Sequence, residues 1–161
     1  MDTLPTQSQL EKQLKEQMKE ATELGAEWAK TDYIYDPKEL EKHVGKAQGL
    51  SKQGCFVGSY QEYAYAKPHT KHEELKKTLD LLIIKQALKL AEKQTDDYDA
   101  AQHLYMAAMY HAHDLQTKVK LYEKAAEIAE KSTHGYKDTY TKEHFACICK
   151  ELATSYSKEL E

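Results

Sequence analysis

The fold of this chain is decided by residues 97–131, which read DYDAAQHLYMAAMYHAHDLQTKVKLYEKAAEIAEK. Tyrosine and alanine recur there every three or four residues in two sets: Tyr98, Ala101, Tyr105, Ala108 and Ala112, then Tyr122, Ala126 and Ala129. At about 3.6 residues per turn, each set lies on one face of a helix. Small alanines beside a large ring let two helix axes approach closely while the ring fills the neighbouring groove. The pattern predicts a tight hairpin of helices at 97–115 and 117–132.

Apolar stripes with the same period occur on both sides of this hairpin. They predict four further helices, at 6–30, 37–48, 70–94 and 140–160. No sustained alternation of apolar and polar residues, which would indicate strands, interrupts them. We therefore predict an all-α protein, a helical bundle or short array of antiparallel hairpins with about six helices, in one domain over residues 1–161.

The stretch between the predicted N-terminal helices (1–48) and the C-terminal four-helix part (69–161) has a different composition. Four of the six glycines lie between Gly45 and Gly58, and three tyrosines follow. Glycine weakens helices, so we predict a Gly/Tyr-rich connector at 49–68, with only a weak helix within it. These glycines do not form a phosphate-binding loop, because Cys55 rather than Lys follows Gly54.

Composition excludes several classes of partner. All 23 basic residues are lysine and the net charge is −4, so the chain lacks the arginines and the basic surface that nucleic-acid binding favours. The longest strongly apolar run, Leu81–Ile84, is far too short to span a membrane. An odd number of cysteines and a start without a secretory signal predict an intracellular, reducing and cytoplasmic location, with secretion by a signal-less route left open.

Metal and catalytic motifs are weak. Among eight histidines, His69 and His72 have a spacing that places both on one side of a helix, where Glu73 or His103 would join them. Solvated histidines at helix ends explain this pattern as well, so we predict no metal and no cofactor. Cys147 and Cys149 lie about 200° apart around a helix and cannot share one ion. We predict that the protein is not an enzyme.

The helix at 97–115 is apolar on both sides. Opposite its Tyr/Ala face it carries Met106, Met109, Tyr110 and His113. A helix that is apolar all round either lies at the centre of a bundle or presents a groove to a partner. Methionine adapts to varied partners, so these four residues are the candidate partner-binding residues, and burial in the core is the competing interpretation.

Residues 74–131 resemble two families of helical hairpins. Ala101, Tyr105 and Ala108 are similar to the second helix of a tetratricopeptide repeat, although the first-helix signature of that family is absent. Asp97-Tyr98 together with Tyr122, Ala126 and Glu127 resembles somewhat more closely the microtubule-interacting and trafficking domain, a three-helix module. Both resemblances imply a non-enzymatic protein that binds peptides or helices.

We therefore expect a protein–protein interaction module that binds a partner helix or peptide in a groove between helices. One alternative is a structural or oligomeric helical subunit, which predicts self-association through the apolar stripe of residues 6–30. The other is an enzyme of unrecognised type, which predicts a closed pocket containing His or Cys with a perturbed pKa.

Overall fold

The computed structural model describes residues 4–28, 36–133 and 139–161, with the side chains of 21–28 and 139–140 outside the description. It has seven α-helices over these ranges and no β-strand within them. They are α1 (Gln7–Trp28), α2 (Pro37–Lys52), α3 (Phe56–Ala66), α4 (Glu73–Lys93), α5 (Tyr98–Tyr110), α6 (Leu115–Lys131) and α7 (Thr139–Glu159). A short 3₁₀ helix, Lys67–His69, follows α3. The prediction of an all-α fold is confirmed.

The described chain divides into two compact units, one ending at Gln86 and the other running from Ala87 to Glu161. The first unit contains α1, α2, α3 and most of α4. The second contains the end of α4 with α5, α6 and α7. The boundary falls inside α4, so a single helix contributes to both units.

Helix covers most of the segment predicted as a connector. α2 continues to Lys52, where Gly54, at a φ of 78°, allows the turn that ends it. α3 then forms despite its weak local signal, because its contacts with α2 stabilise it. The Ser59 hydroxyl donates to the Ala47 carbonyl oxygen at 2.8 Å, and a Cβ at Gly58 would lie 3.1 Å from the Leu50 side chain.

Polar contacts tie the start of α1 to two other helices of the first unit. The side-chain amide of Gln7 donates to the Ser51 hydroxyl, near the end of α2, at 2.9 Å. The Gln86 amide of α4 donates to the Gln7 side-chain oxygen at 3.2 Å. Leu10 and Leu14, one and two turns further along α1, are fully buried. These contacts fix α1 against the unit through its apolar stripe.

A buried ion pair joins the 3₁₀ helix to α4. The Lys67 ammonium lies 2.6 Å from Oδ1 of Asp80, whose side chain is only 2% exposed. A buried carboxylate loses its hydration and depends on such a cation. Lys67 therefore fixes how the end of α3 packs on α4.

The Tyr/Ala face of residues 97–131 forms the core of the second unit. Ala101, Ala108 and Ala129 are fully buried, and Tyr122 is 1% exposed. The Tyr122 ring stacks parallel to Tyr156 of α7, with ring centroids 5.9 Å apart. α5 ends at Tyr110, earlier than predicted, because Asp114 begins α6 by accepting hydrogen bonds from the backbone and hydroxyl of Thr117.

Replacing a buried alanine of α5 with a larger residue tests the packing of the second unit. We expect Ala101→Leu or Ala108→Leu to lower the free energy of unfolding by about 1–3 kcal/mol, because both sites are filled by neighbouring side chains. Chemical denaturation followed by circular dichroism measures the change. The matched control is Glu123→Leu, an exposed site on α6, which should change stability by less than about 0.5 kcal/mol. Equal effects at buried and exposed sites would contradict the packing described.

Candidate functional site

The four predicted partner-binding residues lie near or beyond the end of α5. Met109 is 38% exposed and Tyr110 is 66% exposed, whereas Met106 is half-buried. His113 is exposed but lies after the helix, in the link to α6, so its predicted place on a helix through residue 115 is wrong. The helix stops before it because Asp114 starts the next one. The structure thus leaves an apolar strip of Met109 and Tyr110 on the surface of the second unit.

A long groove runs between α1 and α2 in the first unit. Its volume is about 1040 Å³, and its apolar lining comes from Met18, Pro37, Leu40 and Val44. The hydrogen bond between Gln7 and Ser51 places the start of α1 beside the end of α2, and the lining extends from there to Lys19 on α1 and Pro37 on α2. The two helices are therefore antiparallel along the groove.

The charged lining of this groove differs from the protein as a whole. Four lysines and two glutamates line it: Lys12, Lys15, Lys19, Lys38, Glu11 and Glu41. The groove thus has a positive excess, although the chain has a net charge of −4. Charges along the rim of an apolar groove attract partners of opposite sign and accelerate encounter.

Gly45 leaves room in the wall of the α1–α2 groove. A Cβ placed on it would meet no atom within 4 Å, and the residue lines the groove directly. Glycine within a helix costs about 1 kcal/mol relative to alanine, and no contact with the described residues requires it here. The open space lets a bound segment approach the α2 backbone closely.

A second, smaller groove lies between α6 and α7. Its volume is about 550 Å³ and its floor consists of Ala126 and Ala153. Its walls carry more glutamate than lysine, and an ion pair between Lys150 and Glu130 spans them. The smaller volume and the bridging ion pair make this groove a poorer site for a partner segment than the one between α1 and α2.

A cluster of titratable side chains joins α2 to the 3₁₀ helix. Glu39, His43 and His69 each offer one ligand atom within 4.8 Å of the others. On the opposite side of the His43 ring, Nδ1 lies 2.6 Å from Oε2 of Glu62, on α3. His43 and His69 stack with ring planes 9° apart. Glu39, Glu62 and His69, from three elements, therefore surround the His43 imidazole.

His69 and His72, the two histidines singled out by their spacing, make separate contacts. The His69 ring stacks on His43, whereas Nδ1 of His72 accepts a hydrogen bond from the Leu75 backbone at 3.1 Å and caps the start of α4. The interpretation of His72 as a helix-end histidine agrees with this contact. Sequence reasoning missed Glu39, His43 and Glu62, although the Glu39–His43 spacing of four residues places both on one helix face.

The cysteines differ in burial. Cys149 is fully buried, and burial raises the pKa of its thiol to about 12, so it stays protonated and packs as a small apolar residue. Cys147 is exposed and its sulfur lies 3.7 Å from a carboxylate oxygen of Glu151. The buried environment of Cys149 is not the electropositive one that activates a thiolate nucleophile.

No protein-family model, curated protein or solved structure matches this chain. Along the part of the chain that the structure describes, no helix has the length and apolar character needed to cross a membrane.

Proposed function

We propose that this protein is a non-enzymatic protein–protein interaction module that binds a partner helix or peptide in the α1–α2 groove. The observation that carries the proposal is the groove itself, about 1040 Å³ with an apolar lining and a lysine-rich rim. Helix-in-groove recognition needs this combination of an apolar trough and flanking charge.

The dimensions favour a chain segment over a small molecule. The residues of α1 that line the groove run from Ser8 to Lys19, which corresponds to about 16 Å at 1.5 Å per residue. About three turns of a partner helix fit along this length. Pockets for small molecules enclose most of their ligand, whereas this groove runs open along two antiparallel helices.

The charges specify the kind of segment. A partner helix with an apolar stripe would contact Met18 and Pro37, and acidic residues flanking that stripe would reach Lys12, Lys15 and Lys19. A basic partner would meet repulsion at the same rim. We therefore infer that the partner segment is an acidic amphipathic helix.

The strip of Met109 and Tyr110 is a second candidate surface, because both side chains are exposed. With Met106 and His113 it remains the partner-binding surface proposed from the sequence. It lies in the second unit, so variants there and in the α1–α2 groove are independent of each other. The oligomeric alternative predicts self-association through the apolar stripe of residues 6–30, which sedimentation velocity of the protein alone detects.

Binding of designed peptides tests the proposal. The probe is a fluorescent amphipathic helix of about 14 residues, with leucines on one face and glutamates on the other, compared with the same peptide carrying lysines. We expect the acidic peptide to bind at least about tenfold more tightly by fluorescence anisotropy, and to weaken as salt is added. Equal binding of the two peptides would contradict the proposal.

Charge reversal locates the site. We expect Lys12→Glu/Lys15→Glu to weaken binding of the acidic peptide by about tenfold or more. The matched control is Lys46→Glu/Lys52→Glu, which makes the same change in net charge at exposed positions of α2 outside the groove lining. If binding instead depends on Met109→Asp/Tyr110→Asp and not on the lysines, the partner surface is the α5 strip and the groove assignment is wrong.

A further inference from the structure

We propose that Glu39, His43 and His69 bind one zinc ion, with Glu62 orienting His43 from outside the coordination shell. The site is independent of the α1–α2 groove. It runs counter to the expectation, drawn from residue spacing, that the chain binds no metal. Two imidazoles and one carboxylate form a known three-ligand set for Zn²⁺, which leaves a fourth coordination position for water or another ligand.

The distances fit a metal-free form of such a site. One ligand atom of each residue lies within 4.8 Å of the other two. Ligands around tetrahedral zinc lie about 3.3 Å apart, given Zn–N bonds of about 2.0–2.1 Å. Small rotations of the three side chains make up the difference, and none of the three is locked in the core, since all are partly exposed.

The contact with Glu62 fixes which nitrogen of His43 faces the cluster. With Nδ1 of His43 2.6 Å from Oε2 of Glu62, the ring donates its Nδ1 proton to that carboxylate. The lone pair then lies on Nε2, which is 3.5 Å from Oε2 of Glu39. A carboxylate that holds a histidine in this way is the usual outer partner of a zinc ligand.

Backbone contacts hold the ligands in register. Glu39 and His43 lie one turn apart on α2, whose first turn is capped by the Asp36 carboxylate. The backbone N–H of Asp36 donates to the carbonyl oxygen of His69 at 3.3 Å, which ties the 3₁₀ helix to the start of α2. The third ligand is therefore positioned by the same residue that begins the helix carrying the other two.

An ion pair explains the 2.6 Å contact of His43 with Glu62 but does not explain why Glu39 and His69 also lie beside His43. The 3.5 Å separation of His43 Nε2 and Glu39 exceeds the usual length of an N–H···O hydrogen bond. A protonated His43 would also have the parallel His69 ring beside it, with centroids 5.7 Å apart. Lys42 lies 4.0 Å from Oε2 of Glu39, but its side chain is 53% exposed and can move aside when a metal binds.

Calorimetric titration of the full chain, free of any histidine tag and dialysed against a chelator, tests the proposal. We expect one equivalent of Zn²⁺ to bind with a Kd of about 1 µM or tighter. Binding should weaken about 100-fold or more in His69→Ala and in His43→Gln, and about 10- to 100-fold in Glu62→Gln. Co²⁺ in place of zinc should give the visible absorption of a low-coordinate site, lost in the same variants.

The matched control is His72→Ala, which removes a histidine three residues from His69 but leaves the cluster intact. It should bind zinc as the wild type does, and circular dichroism of every variant shows whether the helices are retained. Failure of the wild type to bind zinc would overturn the proposal, as would unchanged zinc affinity in His69→Ala. Loss of binding in His72→Ala alone would move the site to the His69–His72 pair and would also overturn it.

Discussion

Lys67→Ala should lower the free energy of unfolding by about 2–4 kcal/mol, because it removes a cation that lies 2.6 Å from the buried carboxylate of Asp80. Removing a cation beside a buried charge is more costly than losing an exposed contact. Urea unfolding followed by circular dichroism measures the change. The variant keeps the backbone of the 3₁₀ helix, so the loss reports on the ion pair.

The control for this prediction is Lys77→Ala. Lys77 lies 3.6 Å from Glu74, but both side chains are more than half exposed, and exposed pairs contribute little to stability. We expect a change below about 0.5 kcal/mol. The double variant Lys67→Met/Asp80→Leu should recover most of the loss, because replacing both members of a buried pair removes the desolvation penalty. Equal effects of Lys67→Ala and Lys77→Ala would show that Asp80 does not depend on Lys67.

Tyr122→Ala should lower the free energy of unfolding by a similar amount, about 3–5 kcal/mol, through the cavity it leaves in the second unit. Tyr122 is 1% exposed. Its ring stacks on Tyr156 of α7 and meets the edge of Tyr105 of α5 at 5.7 Å between centroids. One truncation therefore removes contacts between α6 and both neighbouring helices.

Tyr110→Ala provides the comparison, since it makes the same chemical change in the same unit at a side chain that is 66% exposed. We expect it to alter stability by less than about 0.5 kcal/mol. Equilibrium denaturation of the two variants side by side gives the difference. A loss of several kcal/mol in Tyr110→Ala would show that this side chain is packed, and would remove it as a candidate partner contact.

Helical periodicity was enough to predict the core of the second unit. Within each helix, the alanines recur at the spacing of one face. All of them are buried: Ala101 and Ala108 on α5, and Ala126 and Ala129 on α6. Such a pattern is local in sequence and follows directly from the geometry of a helix. The helix boundary near residue 110 was harder to place, because it depends on a capping contact of Asp114 and not on composition.

Propensity alone predicted α3 only as a weak helix, at 58–66, whereas the helix runs from Phe56 to Ala66. Gly54 and Gly58 weaken the local helical signal, yet Gly54 ends α2 and Gly58 allows Leu50 to pack closely. Contacts with α2, made after the chain turns back, offset the weak propensity. A sequence pattern carries no direct sign of such contacts.

Neither the side-chain cluster nor the α1–α2 groove could be predicted from the sequence, because each depends on contacts between residues far apart in the chain. The spacing of Glu39 and His43 is visible in the sequence, but the approach of Glu62 and His69 requires α3 and the 3₁₀ helix to return to α2. The lysines of the groove appear in the sequence as a solvated helix face, which is the usual interpretation. Only the antiparallel packing of α1 and α2 shows that they border an apolar trough.

Binding of an acidic amphipathic segment in the α1–α2 groove should perturb the residues that line it. Heteronuclear NMR of the ¹⁵N-labelled chain, titrated with the acidic peptide, tests this binding most directly, because each backbone amide reports on its own surroundings. We expect the largest shift changes to fall on Lys12, Lys15 and Gly45, which line the groove, and to be absent with the basic peptide. Shift changes confined to Met109 and Tyr110, or no changes at all, would contradict it.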